Sequence, residues 1–233
     1  MIKTYYRLTK PGIIYGNALA AVAGFFFASR GGPINWWLFV ATVLGLSLII
    51  ASACVLNNYM DRDIDARMER TKNRAMVRGA ISDRNALIFA AVLGVMGVVL
   101  LAFYSSYTAL AAALVAFVVY VALYTPLKPR TPMALFVGAV SGAMPPVVGY
   151  TAVTNMLDWY AFALFLALFL WQIPHFLAIA TYRYNEYAAA GVPLFIKKEP
   201  SDTTKRRAKV IFYCSLVVLL VACGALMLAG LFV

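Results

Sequence analysis

The stretch NNYMDRDIDARMERTKNR, Asn57 to Arg74, sets four acids and five bases directly behind a long apolar run. Asn57, Asp61 and Asp65 stand at i, i+4 and i+8. On a helix successive members of that series turn by only about 40°, so the three side chains share one face. Asp63 points away from them, with Arg67 four residues on as an ordinary surface ion partner. Two carboxylates and an amide oxygen are hard ligands of the kind Mg2+ takes, its remaining positions being filled by water and phosphate oxygens. Arg70, Thr71, Lys72, Arg74 and Arg78 follow at once and suit the charge of a diphosphate. The competing reading is a solvated helix end. Against it, Asn57 carries the face back into the apolar segment, where acids without a metal or partner are costly.

The elements that hold this face follow from composition. Of 233 residues, 64% are hydrophobic and 12% charged, far outside soluble usage and diagnostic of an integral membrane protein. Charge divides the chain: Pro11 to Met60 holds only Arg30, Asn85 to Leu127 none, Thr131 to Tyr182 only Asp158, and Val210 to Val233 none. Each of the first three tracts accommodates two spans of about 20 residues and the last tract one. The expected fold is all-α, a polytopic bundle of seven transmembrane helices at Ile13–Ala28, Trp37–Asn57, Ala86–Phe103, Thr108–Tyr124, Met133–Tyr150, Trp159–Tyr182 and Val210–Phe232.

The net charge of +11 obeys topology and forms no nucleic-acid groove. Of the twenty Lys and Arg, all but Arg30 fall in the N-terminus and the loops after helices 2, 4 and 6. The positive-inside rule then sets the N-terminus and these loops in the cytoplasm. Cys54, Cys214 and Cys223 lie within proposed spans without CxxC spacing, as packing residues. Trp36, Trp37 and Trp159 sit near outer helix ends, as in an interfacial belt. In GAMPPVVGY, Pro145 and Pro146 require a local break, and the small residues let another helix or a ligand approach closely. The sole histidine, His175, lies in LWQIPHF with Trp171, Gln172, Pro174 and Phe176 about it, a setting in which a packed core histidine is the ordinary outcome. Pro174 frees a carbonyl one turn back and bends its helix, as where a membrane helix lines a cavity.

NNYMDRDID followed by RTKNR resembles the NxxxDxxxD motif of the UbiA superfamily of intramembrane prenyltransferases. LTKPG, LNNYMDRDIDARMERTKNR, YTPLKPRT, SGAMPPVVGY, LWQIPHF and EYAAAGVPLF resemble, in order from Leu8 to Phe195, its heme O synthase family, the protoheme IX farnesyltransferases. The resemblance implies one UbiA-type domain over residues 1–233, lacking the last two of the family's usual nine helices. It implies farnesyl diphosphate and heme b as substrates within membrane lipid, Mg2+ as cofactor, no nucleic acid, and heme A synthase or a terminal oxidase as assembly partners. Farnesyl would pass to the 2-vinyl group of heme b, giving heme O.

On that reading Asn57, Asp61 and Asp65 hold the metal. Arg70, Lys72, Arg74, Lys128, Glu186 and Tyr124 contact substrate, and Asp61, Asp65 and His175 are catalytic. His175 would serve as an axial ligand or propionate partner, or as a general base. Ala75 stands where the family has Pro. RYNEYAAAG replaces the second acidic motif of many members, leaving Glu186 between Arg183 and Tyr187 as the one carboxylate for a second metal. A quinone precursor or chlorin remains open as acceptor. A secondary transporter is a further alternative, weakened because the acids cluster at one edge and not at mid-membrane.

Overall fold

Within a bilayer a backbone amide has no water to bond, so an apolar tract must close its hydrogen bonds internally, and each charge-poor tract of this chain is helical. The computed structural model describes residues 1–232. Among them are seven helices long and apolar enough to cross a membrane, and no strand. A short α1 (Ile2–Leu8) precedes α2 (Pro11–Ala28) and α3 (Trp36–Met60). The first charged loop begins with α4 (Arg62–Ala66) and leads to α5 (Asp83–Tyr104). Next, α6 (Tyr107–Val118) runs through a π turn (Val119–Tyr124) into α7 (Thr125–Leu127). Then come α8 (Ala134–Thr154), α9 (Trp159–Tyr182), α10 (Tyr184–Ala189) and α11 (Asp202–Phe232).

All seven expected spans are present, with three instructive differences at their ends. The helix expected from Val210 starts at Asp202, because Ser201 Oγ accepts the Thr204 N–H and caps a polar first turn that apolarity alone does not reveal. The helix expected to stop at Asn57 continues to Met60, so that Asn57 lies inside α3. The helix expected to end at Tyr124 widens there instead. Pro126 can neither donate to the carbonyl one turn back nor leave it room, and the extra residue of the π turn accommodates it. Trp36, Trp37 and Trp159 are exposed, as an interfacial belt requires; Cys214 is exposed too, unlike the packed Cys54 and Cys223.

The expected break at Pro145 and Pro146 does not occur. Both lie inside an uninterrupted α8, which packs against α2, α6 and α9 and buries every residue from Pro145 to Ala152. A broken helix would leave further backbone groups unpaired in the bilayer, whereas neighbours packed on all sides tolerate proline. What approaches the small residues is another helix. A Cβ on Gly149 would lie 1.9 Å from the Ala21 carbonyl oxygen, and one on Gly24 2.1 Å from that of Pro146, so α2 and α8 touch backbone to backbone. Phe25, Leu46, Leu101, Val147, Val148 and Tyr150 fill the core around this crossing.

Gly149→Ala must therefore push α2 and α8 apart, with an expected cost of about 1–3 kcal/mol from overpacking. A lowered thermal midpoint in detergent is the check, with Gly12→Ala as control, since nothing lies within 4 Å of a Cβ there.

Candidate active site

Asn57, Asp61 and Asp65 keep their common face across the junction of α3 and α4. The Asp61 amide donates to the Asn57 carbonyl at 2.8 Å and the Asp65 amide to that of Asp61 at 2.8 Å, so the helical ladder passes straight through Asp61. These three residues are 2, 2 and 3% exposed, whereas the side chain of Asp63 is 90% exposed. The expected Asp63–Arg67 pair does not form. Arg62 lies 3.8 Å from Asp63 and also reaches Asp83 at 3.0 Å, because α5 begins beside it.

Each member of the buried face meets a cation from a different part of the chain. Lys128, just beyond α7, places Nζ 2.7 Å from Asp61 Oδ2. Arg74 places a guanidinium nitrogen 2.5 Å from Asp65 Oδ2. Lys10 donates to Asn57 Oδ1. The Asn57 amide then donates to Asp61 Oδ2 at 3.1 Å and to Thr125 Oγ1 at 3.0 Å, and Thr125 donates to the Tyr120 carbonyl at 2.9 Å. The π turn thus delivers both Thr125 and Lys128 to the acids, with Tyr120 and Tyr124 stacked behind at 5.3 Å between ring centroids.

Lys10 and Thr125 were not among the residues singled out from the sequence. Lys10 occupies the left-handed region at φ 54, a costly conformation outside glycine, two residues after Leu8, whose carbonyl accepts from Asn58 Nδ2 at 2.7 Å. The KP pair marks the head of the first span but not this contact. Burial, with Arg74 and Lys128 nearby, draws the Lys10 ammonium down to about 8. Burial also opposes the charge of Lys128, but Tyr124 and the Asp61 carboxylate more than offset it and hold that amine above the ordinary lysine range.

The remaining expected residues lie around this centre with other partners. Arg70 is 3.6 Å from Glu186, and Glu186 is also held by Arg183 at 2.8 Å, so the loops after α3 and α9 are tied together. Met68 packs with Ala190 and Val192 beneath that link. Lys72 turns to Glu69 at 2.6 Å on its own loop. His175 is buried on α9 against Trp171 and Phe212 and is bonded to Ser215 of α11, so α9 and α11 provide its contacts.

Among the described residues no three His, Cys, Asp or Glu side chains converge. Two buried carboxylates, each with one oxygen on a cation, fit a hard divalent ion that is shared with phosphate and water, not a closed protein cage. The Asn57 amide oxygen fits only if Lys10 moves off it. Glu186, between two arginines, has no second acid among the described residues with which to hold another metal.

Comparison with known proteins shows that residues 17–233 match the UbiA prenyltransferase family. The chain belongs to that family. A protoheme IX farnesyltransferase of Pseudomonas savastanoi pv. phaseolicola is 47% identical over 217 residues, covering 93% of this chain and 73% of the relative. One from Sodalis glossinidius is 44% identical over 206 residues, covering 88% and 69%. Among solved structures, a UbiA homolog from Archaeoglobus fulgidus bound to GPP and Mg2+ superposes with a TM-score of 0.71 at 18% identity, covering 98% of this chain and 84% of that one. The apo UbiA homolog from Aeropyrum pernix K1 gives 0.68 at 16% identity, covering 90% and 77%. The fold is therefore that of the intramembrane prenyltransferases, and the protein is a multi-pass membrane enzyme of that family.

Thr125→Val keeps the shape of the π turn but removes the acceptor of the Asn57 amide. A loss of about 1–3 kcal/mol in stability is expected, as for a buried donor left unpaired. Thr125→Ser should retain most of it, read from unfolding midpoints of the two variants in the same detergent.

Proposed function

We propose that this protein transfers the farnesyl group of farnesyl diphosphate to the 2-vinyl group of heme b, giving heme O. The observation that carries the reading is the buried Asn57, Asp61 and Asp65 face with Lys10, Arg74 and Lys128 against it, in a chain 47% identical to a protoheme IX farnesyltransferase. In the reaction the C1–O bond of farnesyl diphosphate breaks and its electron pair leaves with the diphosphate. The allylic cation adds to the terminal vinyl carbon of the porphyrin, and water captures the resulting cation with loss of a proton.

Negative charge accumulates on the leaving group, so fixed positive charge aimed at it lowers the barrier more than it stabilises the bound ground state. Asp61 and Asp65 would hold Mg2+, which supplies part of that charge when bound. Lys128 and Arg74, bonded to the acids, and Lys10, bonded to Asn57, would turn from carboxylate or amide to phosphate oxygens as the diphosphate enters. Arg70 would add to them from its place beside Glu186, with Lys72 at the rim. Tyr124, the last residue of the π turn, would border the isoprenoid. His175 would meet the porphyrin.

Asp61→Asn and Asp65→Asn are expected to abolish product formation, and Asp63→Asn to keep most of it, its side chain lying on the solvent side. The assay offers farnesyl diphosphate with heme b, a quinone precursor or a chlorin to purified protein and identifies the prenylated product. Prenylation of another acceptor in place of heme b would overturn the reading, as would equal losses in all three folded variants.

The site is proposed to face the cytoplasm of a bacterial inner membrane, because the basic loops gather at its end of the bundle. Single cysteines at Asn73→Cys and Ser201→Cys, with Cys54, Cys214 and Cys223 replaced, should resist an impermeant thiol reagent in intact cells, and Ser29→Cys should react. Labelling of Asn73→Cys from outside would reverse the orientation.

A further inference from the structure

Trp171 and His175 stand one turn apart on α9, and Ser215 of α11 bonds to both. The Trp171 indole N–H donates to the Ser215 backbone carbonyl at 3.0 Å, and His175 Nδ1 lies 2.7 Å from Ser215 Oγ. The same hydroxyl is 2.6 Å from the Phe212 carbonyl oxygen. A serine hydroxyl has one proton and a carbonyl only accepts. At that distance the proton must lie between the two oxygens, since lone pairs would otherwise face each other. Ser215 Oγ can then only accept from the ring, so Nδ1 carries the hydrogen.

A neutral imidazole has a single N–H, which leaves Nε2 with its lone pair. Nε2 has no hydrogen-bond partner among the described residues. Nor is Nε2 sealed inside the protein. The ring plane is fixed by stacking on Trp171 at 4.7 Å and by Phe212 at 5.0 Å between centroids. A nitrogen that is oriented, unprotonated and unpartnered on an otherwise buried ring is what metal ligation needs, and ligating histidines commonly have their other nitrogen held in this way.

We propose that Ser215 is a positioning residue that fixes His175 as the Nδ1–H tautomer and presents Nε2 as a ligand to the iron of the porphyrin acceptor. The identity of that ligand rests on the farnesyl-to-heme reading above; the tautomer rests on the geometry alone. The same tautomer also serves packing, through the Nδ1–H bond to Ser215, so the ligand role is tested by heme binding and not by the tautomer.

The chain has one histidine, so ring-15N-histidine labelling in detergent reports a single imidazole. Wild-type protein is expected to show a protonated Nδ1. Ser215→Ala should shift the ring toward Nε2–H and weaken heme b binding by about tenfold, the lower end of the range for losing such a partner. Ser215→Thr should keep both properties, and His175→Ala should lose the histidine-type absorption of bound heme. A wild-type ring protonated at Nε2 overturns the proposal, as does a Ser215→Ala variant unchanged in tautomer and heme affinity. If Nδ1–H is found but His175→Ala binds heme b with the wild-type spectrum, the ligand assignment is overturned. Farnesyl transfer to heme is judged separately, by product in the acceptor screen.

Discussion

The need to compensate two carboxylates buried at a helix end governs the charged end of this molecule. Taking an ion out of water costs several kcal/mol even after relaxation, and Asp61 and Asp65 recover that cost only beside opposite charge. The compensating groups come from separate stretches: Lys128 from beyond the fourth span and Arg74 from the loop after the second. Lys10, from ahead of the first, engages Asn57 on the same face. The ion pairs thereby fix where α7 and the first charged loop lie, and the Arg70–Glu186–Arg183 link draws in the loop after the sixth span.

This arrangement also suits the proposed chemistry. Cations held by buried acids are already desolvated and in place, so exchanging a carboxylate for a phosphate oxygen requires little further ordering. That is the sense in which preorganised charge lowers the barrier for a leaving diphosphate. The left-handed Lys10 and the π turn before Thr125 are the two irregular pieces of backbone that reach this centre. Departures from regular structure commonly concentrate at functional sites.

The membrane interior is organised by a different interaction. With lipid on the outside there is little hydrophobic drive to bring helices together, and close packing of small residues takes its place. Gly24 and Gly149 let α2 lie on α8, and Gly230 lets α11 approach the Phe26 carbonyl on the other side of α2. Ser215, Trp171 and His175 add polar bonds between α9 and α11, so the histidine is part of the packing as well as a proposed ligand.

The number of spans, their order and the shared face of Asn57, Asp61 and Asp65 were legible in the sequence, because lipid admits only long uncharged helices and helical period fixes which side chains align. The exposure of Asp63 followed from the same period. What only the tertiary structure decided depends on contacts between distant segments. The KP pair gives no sign that Lys10 reaches Asn57, and YTPLKP does not announce a π turn that turns Thr125 toward the same amide. Pro145 and Pro146 suggest a break by local rules, yet neighbours on every side keep α8 whole. Local sequence sets the period of a helix, but which of its polar atoms find a partner is settled only when the helices come together.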